Sequence, residues 1–70
     1  MSGSEQQKLG QNIRDLREKR GLTLEKLAAE VELDASFLAY IERGEKNVSS
    51  DKLIRIAKSL GVEVAFIKPS

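Results

Sequence analysis

Ionisable side chains carry most of the chemistry available to this chain. It has 12 Lys and Arg and 11 Asp and Glu among 70 residues, but no His and no Cys. Without imidazole or thiol groups, His-based catalysis, thiolate zinc sites and disulfides are excluded. The carboxylates show no acid/base or metal-ligand spacing, and we interpret them as helix caps and surface charges. We therefore expect no catalytic, metal or cofactor site, no small-molecule ligand, and a function in binding rather than catalysis.

The basic residues are unevenly distributed along the chain. The segment 24–42 has one base against five acids, a net charge of −4. The segments 8–20 and 43–58 each have five bases against two acids, a net charge of +3. Phosphates would repel the central segment and attract the flanks. The overall charge of +1 is low for a nucleic-acid binder.

Amphipathic spacing predicts four helices that position these charges. They are expected at about 5–20, 24–31 and 35–43, and from 49 or 50 to 60. Ser, Thr or Asp residues suited to N-caps precede the later helices, and a glycine suited to a helix stop follows three of the four. These residues are Thr23, Asp34, and Ser49 or Ser50, and then Gly21, Gly44 and Gly61. The apolar segment 62–67 fits either a short fifth helix or an extended segment.

The length and composition predict one domain. Residues 5–70 are expected to form it, after a flexible tail or cloning remnant at residues 1–4. No apolar run approaches the roughly 18 residues of a membrane span, and no signal-peptide core follows Met1. With no Cys, an intracellular, cytoplasmic location is expected.

Apolar and small residues between Thr23 and Glu42 are spaced for two short helices that cross at a tight angle. These residues are Leu27, Ala28, Val31, Leu33, Leu38 and Ile41. Ala28 is small enough for the two backbones to approach, and Leu33 anchors the connection. A helix-turn-helix unit has this arrangement, and its second helix stands out far enough to enter a groove of double-stranded DNA.

Five strings in a specific order carry a family resemblance. They are IRDLR at 13–17, GLT at 21–23, LA at 27–28, FLAYIERG at 37–44 and LIRIAKSLGV at 53–62. Through them residues 9–62 resemble the phage-repressor-like (Cro/repressor, or Xre-type) helix-turn-helix domain. The string ERGEKNVS at 42–49 looks most like the controller proteins of restriction–modification systems. The resemblance implies an all-α, lambda-repressor-like fold, a compact bundle of four to five short helices with the helix-turn-helix at about 24–43.

Two positions depart from the family pattern. Leu24 stands where the family usually has a Gln that touches a phosphate, although amides at the helix N-terminus remain available there. Glu32 stands at the turn position usually filled by Gly. If Glu32 takes a positive φ, a strain of about 1 kcal/mol is expected.

The resemblance makes the third helix the recognition helix. Its outward positions are Ala35, Ser36, Ala39 and Tyr40, which we expect to contact bases. None is the Arg, Lys, Asn or Gln that usually makes bidentate base contacts. The alanines could meet thymine methyl groups, Ser36 could bond to either base type, and Tyr40 could pack or bond near a phosphate. Alternatively, the alanines are helix formers on a solvated face.

Phosphate contacts are expected at the start of the second helix and in the loop after the third. The candidates are Thr23, Leu24, Arg43, Lys46, Asn47 and Lys52; ordinary solvated surface is the alternative for the last four. The resemblance also implies an ion pair between Arg17 and Glu42, which would set the orientation of the recognition helix.

The apolar tail suggests a second copy of the chain as a partner. Val62, Val64, Phe66 and Ile67 are more apolar residues than so small a domain hides easily. Part of this set is expected to form a two-fold dimer contact, although Phe66 or Val62 could simply close the core. The sequence thus predicts a dimeric, sequence-specific DNA-binding transcriptional regulator, helped by DNA shape. The alternative is a protein-interaction module that keeps the scaffold without binding DNA.

Overall fold

Four α-helices and one 3₁₀ turn make up most of the chain. The computed structural model describes residues 2–69, with side chains from residue 5 onward. The helices are α1 (Ser2–Lys19), α2 (Leu24–Glu30), α3 (Ala35–Glu42) and α4 (Ser50–Leu60), followed by a 3₁₀ turn at Val64–Phe66. No strand occurs among residues 2–69, so the predicted all-α fold is confirmed.

The first helix begins earlier than predicted. It starts at Ser2, so the expected tail at residues 1–4 is helical from Ser2 onward, and Met1 lies outside the described residues. Once a helix has formed, each added residue contributes a backbone hydrogen bond at little further cost. The helix therefore extends beyond the amphipathic pattern that revealed it.

Side-chain caps define two of the helix starts. Thr23 Oγ1 accepts a hydrogen bond from the Lys26 amide at 3.1 Å. Ser49 rather than Ser50 caps α4, accepting from the Lys52 amide at 3.4 Å. Asp34 occupies the N-cap of α3 with extended backbone but makes no side-chain capping bond. Each such cap satisfies a helix amide that has no intrahelical acceptor.

The buried side chains form one core shared by all four helices. It contains Ile13, Leu27, Ala28, Val31, Leu38, Ile41, Leu53, Ile56, Ala57, Leu60 and Ile67. Phe37 is only partly buried and packs against this cluster. Within the described residues, no helix is both long and apolar enough to cross a membrane.

The C-terminal segment closes the bundle through Ile67. Residues 64–66 form the 3₁₀ turn, which settles the choice left open for the tail. Asn12 Nδ2 on α1 donates to the Ile67 carbonyl at 2.7 Å, and the Ile67 side chain is fully buried. Ile67 therefore belongs to the core and has no surface to offer a second copy, which corrects the predicted dimer set.

Candidate nucleic-acid interface

The turn between α2 and α3 places a non-glycine residue in the left-handed region. Glu32 has φ 58°, and the amides on either side of it remain in short backbone hydrogen bonds. The Val31 amide donates to the Leu27 carbonyl at 3.0 Å and the Leu33 amide to the Ala28 carbonyl at 2.9 Å. These bonds and the buried side chains of Leu27 and Val31 hold the turn despite a strain of about 1 kcal/mol.

Arg17 and Glu42 fix the carboxyl end of α3 to α1. Arg17 Nε donates to Glu42 Oε2 at 2.7 Å and Arg17 Nη2 donates to Glu42 Oε1 at 3.0 Å, a bidentate pair. Arg17 Nη1 also donates to the Leu22 carbonyl at 2.9 Å, tying in the loop before α2. The hydrogen bond that Arg17 donates to Glu42 raises the pKa of Arg17. Since only 6% of the Glu42 side chain is exposed, its charge is neutralised inside the protein and does not face a phosphate surface.

Gly10 allows α1 to approach the end of α3 closely. A Cβ added at Gly10 would overlap the Ile41 carbonyl oxygen and lie 2.5 Å from the Glu42 carbonyl oxygen. The sequence reasoning missed this residue. The signal that could have found it is a glycine inside an amphipathic helix pattern, which costs about 1 kcal/mol relative to Ala unless packing requires it.

The four expected base-contact residues differ in exposure. Ser36 is exposed, and 39% of Tyr40 is exposed. Ala35 and Ala39 are partly buried, and Ala35 packs against the core. Ala39 and Tyr40 lie three and four residues after Ser36, so each neighbours Ser36 on the surface of α3.

Tyr40 brings together two of the expected phosphate contacts. The guanidinium carbon of Arg43 lies 4.8 Å from the Tyr40 ring centroid, and Lys46 Nζ lies 5.5 Å from it. Arg43 Nε is also 3.4 Å from Glu45 Oε1 in an exposed ion pair. We call Tyr40, Arg43 and Lys46 the Tyr40 cluster; it lies where α3 ends and the following loop begins.

The other expected phosphate contacts have separate neighbours. Asn47 Oδ1 accepts a hydrogen bond from Gln6 Nε2 on α1. Lys52 Nζ lies 5.5 Å from the Phe37 ring centroid. Thr23 is occupied in capping α2, and Leu24 packs against the core. A Leu in place of the family's Gln therefore adds apolar packing at the start of α2.

Three large apolar side chains remain at the surface. They are Phe66, which is 69% exposed, Ile54, which is 46% exposed, and Tyr40. Val62 and Val64 are partly buried against the core. The sequence reasoning did not single out Ile54. Its position could have been noticed, because Leu53, Ile56, Ala57 and Leu60 already complete one helical face without it.

Known proteins are similar to this chain in both sequence and fold. The sequence profile of the family HTH_3, described as helix-turn-helix, matches residues 13–67. The control protein C.BamHI of Bacillus amyloliquefaciens is 44% identical over 55 residues, which cover 77% of this chain and 68% of that protein. The immunity repressor protein of Bacillus phage phi105 is 41% identical over 59 residues, 84% of this chain but only 41% of the repressor.

A solved structure extends the similarity to almost the whole fold. It is the restriction–modification controller protein C.AhdI from Aeromonas hydrophila, with a TM-score of 0.89 and 36% sequence identity. The match covers 91% of this chain and 97% of C.AhdI.

Proposed function

This chain belongs to the HTH_3 family of helix-turn-helix proteins, and we propose that it reads a short palindromic site on double-stranded DNA as a dimer. It is a sequence-specific DNA-binding regulator of transcription, as the family and the named relatives indicate. One observation carries the DNA-binding part of this proposal furthest. The exposed side of α3, anchored by Arg17 and Glu42, is continuous with a cluster of cations at its end.

In this proposal α3 enters the major groove. Ser36 is exposed there and can bond to either base type, and Ala39 can meet a thymine methyl group. The outward positions of α3 include no Arg, Lys, Asn or Gln, so direct readout is weak. Sequence-dependent DNA shape therefore contributes to the choice of site.

Backbone phosphates supply most of the affinity in this proposal. Arg43, Lys46, Asn47 and Lys52 are the candidate contacts, and the first three are exposed. Each phosphate that a cation neutralises releases counterions, so affinity falls steeply as salt rises. Burial of Glu42 in its pair with Arg17 removes one of the five acids that would oppose this binding.

The dimer contact is proposed around the exposed Phe66. The exposed Ile54 and the partly buried Val62 and Val64 are the further apolar candidates for it. A second copy that covers Phe66 would remove its exposed ring from water. Two-fold symmetry would place two α3 helices about one DNA turn, roughly 34 Å, apart. DNA binding would then depend on protein concentration through dimerisation. We propose that the protein is a regulator of the controller type and acts in the cytoplasm.

Equilibrium sedimentation tests the dimer directly. We expect the mean mass of the wild-type protein to rise from monomer to dimer with concentration, and Phe66→Ser to shift that transition to higher concentration. Lys58→Ser changes an exposed residue of α4 and serves as the control. A constant monomer mass at micromolar concentration, with no dimer on DNA, contradicts the proposal.

Selection from a random duplex library tests the proposed function as a whole. We expect an enriched palindrome whose affinity depends strongly on salt. The alternative is a protein-interaction module, which the exposed acids Glu25, Glu30, Glu32 and Asp34 favour. No enrichment even at low salt would support that alternative.

A further inference from the structure

We propose that Tyr40 is a positioning residue for phosphate binding: its ring holds Arg43 and Lys46 at the end of α3, where both can meet the DNA backbone. The sequence placed Tyr40 among the expected base contacts and also allowed it to pack or bond near a phosphate. This inference rests on the proposed DNA-binding function and deepens it, because it assigns Tyr40 to affinity rather than to the choice of sequence.

The ring lies within cation–π distance of both cations. The centroid is 4.8 Å from the Arg43 guanidinium carbon and 5.5 Å from Lys46 Nζ. An aromatic face attracts a cation within about 6 Å of its centroid through the ring quadrupole. Arg43 and Lys46 are otherwise exposed, flexible side chains, and fixing them before DNA arrives reduces the entropy lost on binding.

The charges of the cluster call for an additional anion. Two cations gathered at one ring repel each other, and the nearby Glu45 is paired with Arg43 only. Among the described residues, Lys46 forms no ion pair. A phosphodiester fits this need because its oxygens accept several charge-assisted hydrogen bonds, including a planar pair from a guanidinium.

The same contacts make Tyr40 a poor base reader. Ring surface that faces Arg43 and Lys46 is not open to a base. Ser36, one turn before Tyr40, and Ala39, which directly precedes it, remain available for bases. The Tyr40 cluster therefore lies at one end of the surface that faces the bases and sets the position of α3 along the DNA.

Two substitutions at Tyr40 separate the ring from its hydroxyl group. Affinities of the full-length protein would be measured at several salt concentrations for the selected operator, for single-base variants of it, and for an unrelated duplex. Tyr40→Phe keeps the ring, and we expect its affinities to stay within about twofold of the wild type. Tyr40→Leu loses the ring, and we expect about tenfold weaker binding to operator and unrelated duplex alike, with unchanged base preferences.

A double substitution shows whether Tyr40 acts through the cations. In an Arg43→Ala, Lys46→Ala background, the further loss from Tyr40→Leu should shrink to less than about twofold, since interacting residues are not additive. Lys58→Ala, which removes a charge beside Glu30 and Ser59 at the far end of α4, is the control for charge alone. Thermal melting of each variant establishes that it is folded.

Several results would overturn the inference. The Tyr40→Leu variant could bind DNA as tightly as the wild type. Alternatively, Tyr40→Leu could weaken binding by the same factor in the Arg43→Ala, Lys46→Ala background as in the wild type. Either Tyr40 variant could change the preferred base at one operator position, which would make Tyr40 a base reader. Failure of the wild-type protein to bind any duplex would instead remove the proposed function itself, so the two failures are distinguishable.

Discussion

Two ion pairs at the carboxyl end of α3 behave differently because they differ in burial. The Arg17–Glu42 pair is bidentate and nearly enclosed. The Arg43–Glu45 pair is 3.4 Å long, and about half of each side chain is exposed. A buried partner cannot be exchanged without leaving an unpaired charge, whereas an exposed one is readily replaced by a phosphate. The first pair thus orients α3, and we propose that the second region meets DNA.

The largest expected effect is loss of the buried pair. Glu42→Ala leaves the Arg17 guanidinium partly buried without its carboxylate, and we expect a loss of about 3–5 kcal/mol in the free energy of unfolding. For a domain of this size that lowers Tm by more than about 12 °C. Glu18→Ala, which breaks the exposed pair with Arg14, should shift Tm by only a few degrees. An unchanged Tm for Glu42→Ala would show that the buried pair is unimportant.

A smaller loss is expected where α1 meets α3. Gly10→Ala forces its Cβ against the Ile41 and Glu42 carbonyls, so α1 must move away from α3 at a cost of about 1–3 kcal/mol. We expect a lower urea midpoint and weaker DNA binding together. Lys8→Ala, at an exposed position of the same helix, is the control. A Gly10→Ala protein as stable as the wild type would mean that α1 and α3 do not pack tightly at this position.

The turn before α3 offers an expected gain in stability. Glu32→Gly relieves the cost of a side chain at φ 58° and should raise the free energy of unfolding by about 1 kcal/mol. Glu32→Ala removes the same exposed contact with Arg55 but keeps the Cβ, so it should bring no such gain. Denaturant unfolding of both variants decides the point; equal midpoints would count against strain at this residue.

The smallest effect is expected at the exposed Arg43–Glu45 pair, and it should change DNA affinity but not stability. Glu45→Gln frees Arg43 and removes a negative charge beside the proposed phosphate contacts. We expect about two- to fivefold tighter duplex binding at low salt, less at high salt, and a Tm within about 2 °C of the wild type. Glu18→Gln makes the same change of charge in the exposed pair on α1. If both variants tighten binding equally, the effect is one of net charge and not of Arg43.

Local patterns accounted for most of the fold. The caps at Thr23 and Ser49 and the left-handed glycines Gly21 and Gly61 follow from rules that act within a few residues. The start of α1 and the conformation of residues 64–66 did not follow from such rules. A helix end depends on weak propagation, and Ile67 finds its place against α1, which is distant in sequence.

The sequence indicated which residues belong to the candidate interface but not which of them contact one another. Residue type and resemblance identified Tyr40, Arg43 and Lys46, yet nothing in the sequence indicated that one ring contacts both cations. Asn47 and Lys52 were expected beside them, and the structure gives each a different neighbour. Side-chain partners on a surface depend on rotamers and on loop geometry, which residue spacing does not encode.

The sequence by itself determined the helices, the turn chemistry, the apolar faces and the family, because these depend on periodicity and on short-range hydrogen bonding. Tertiary structure decided the burial of Ile67, the exposure of Phe66 and Ile54, the need for glycine at position 10 and the gathering of cations around Tyr40. The gathering of cations depends on side-chain rotamers and loop geometry, whereas each of the others depends on how closely two elements distant in the chain approach. That distance is set by the packing of all the helices together, and no local pattern carries it.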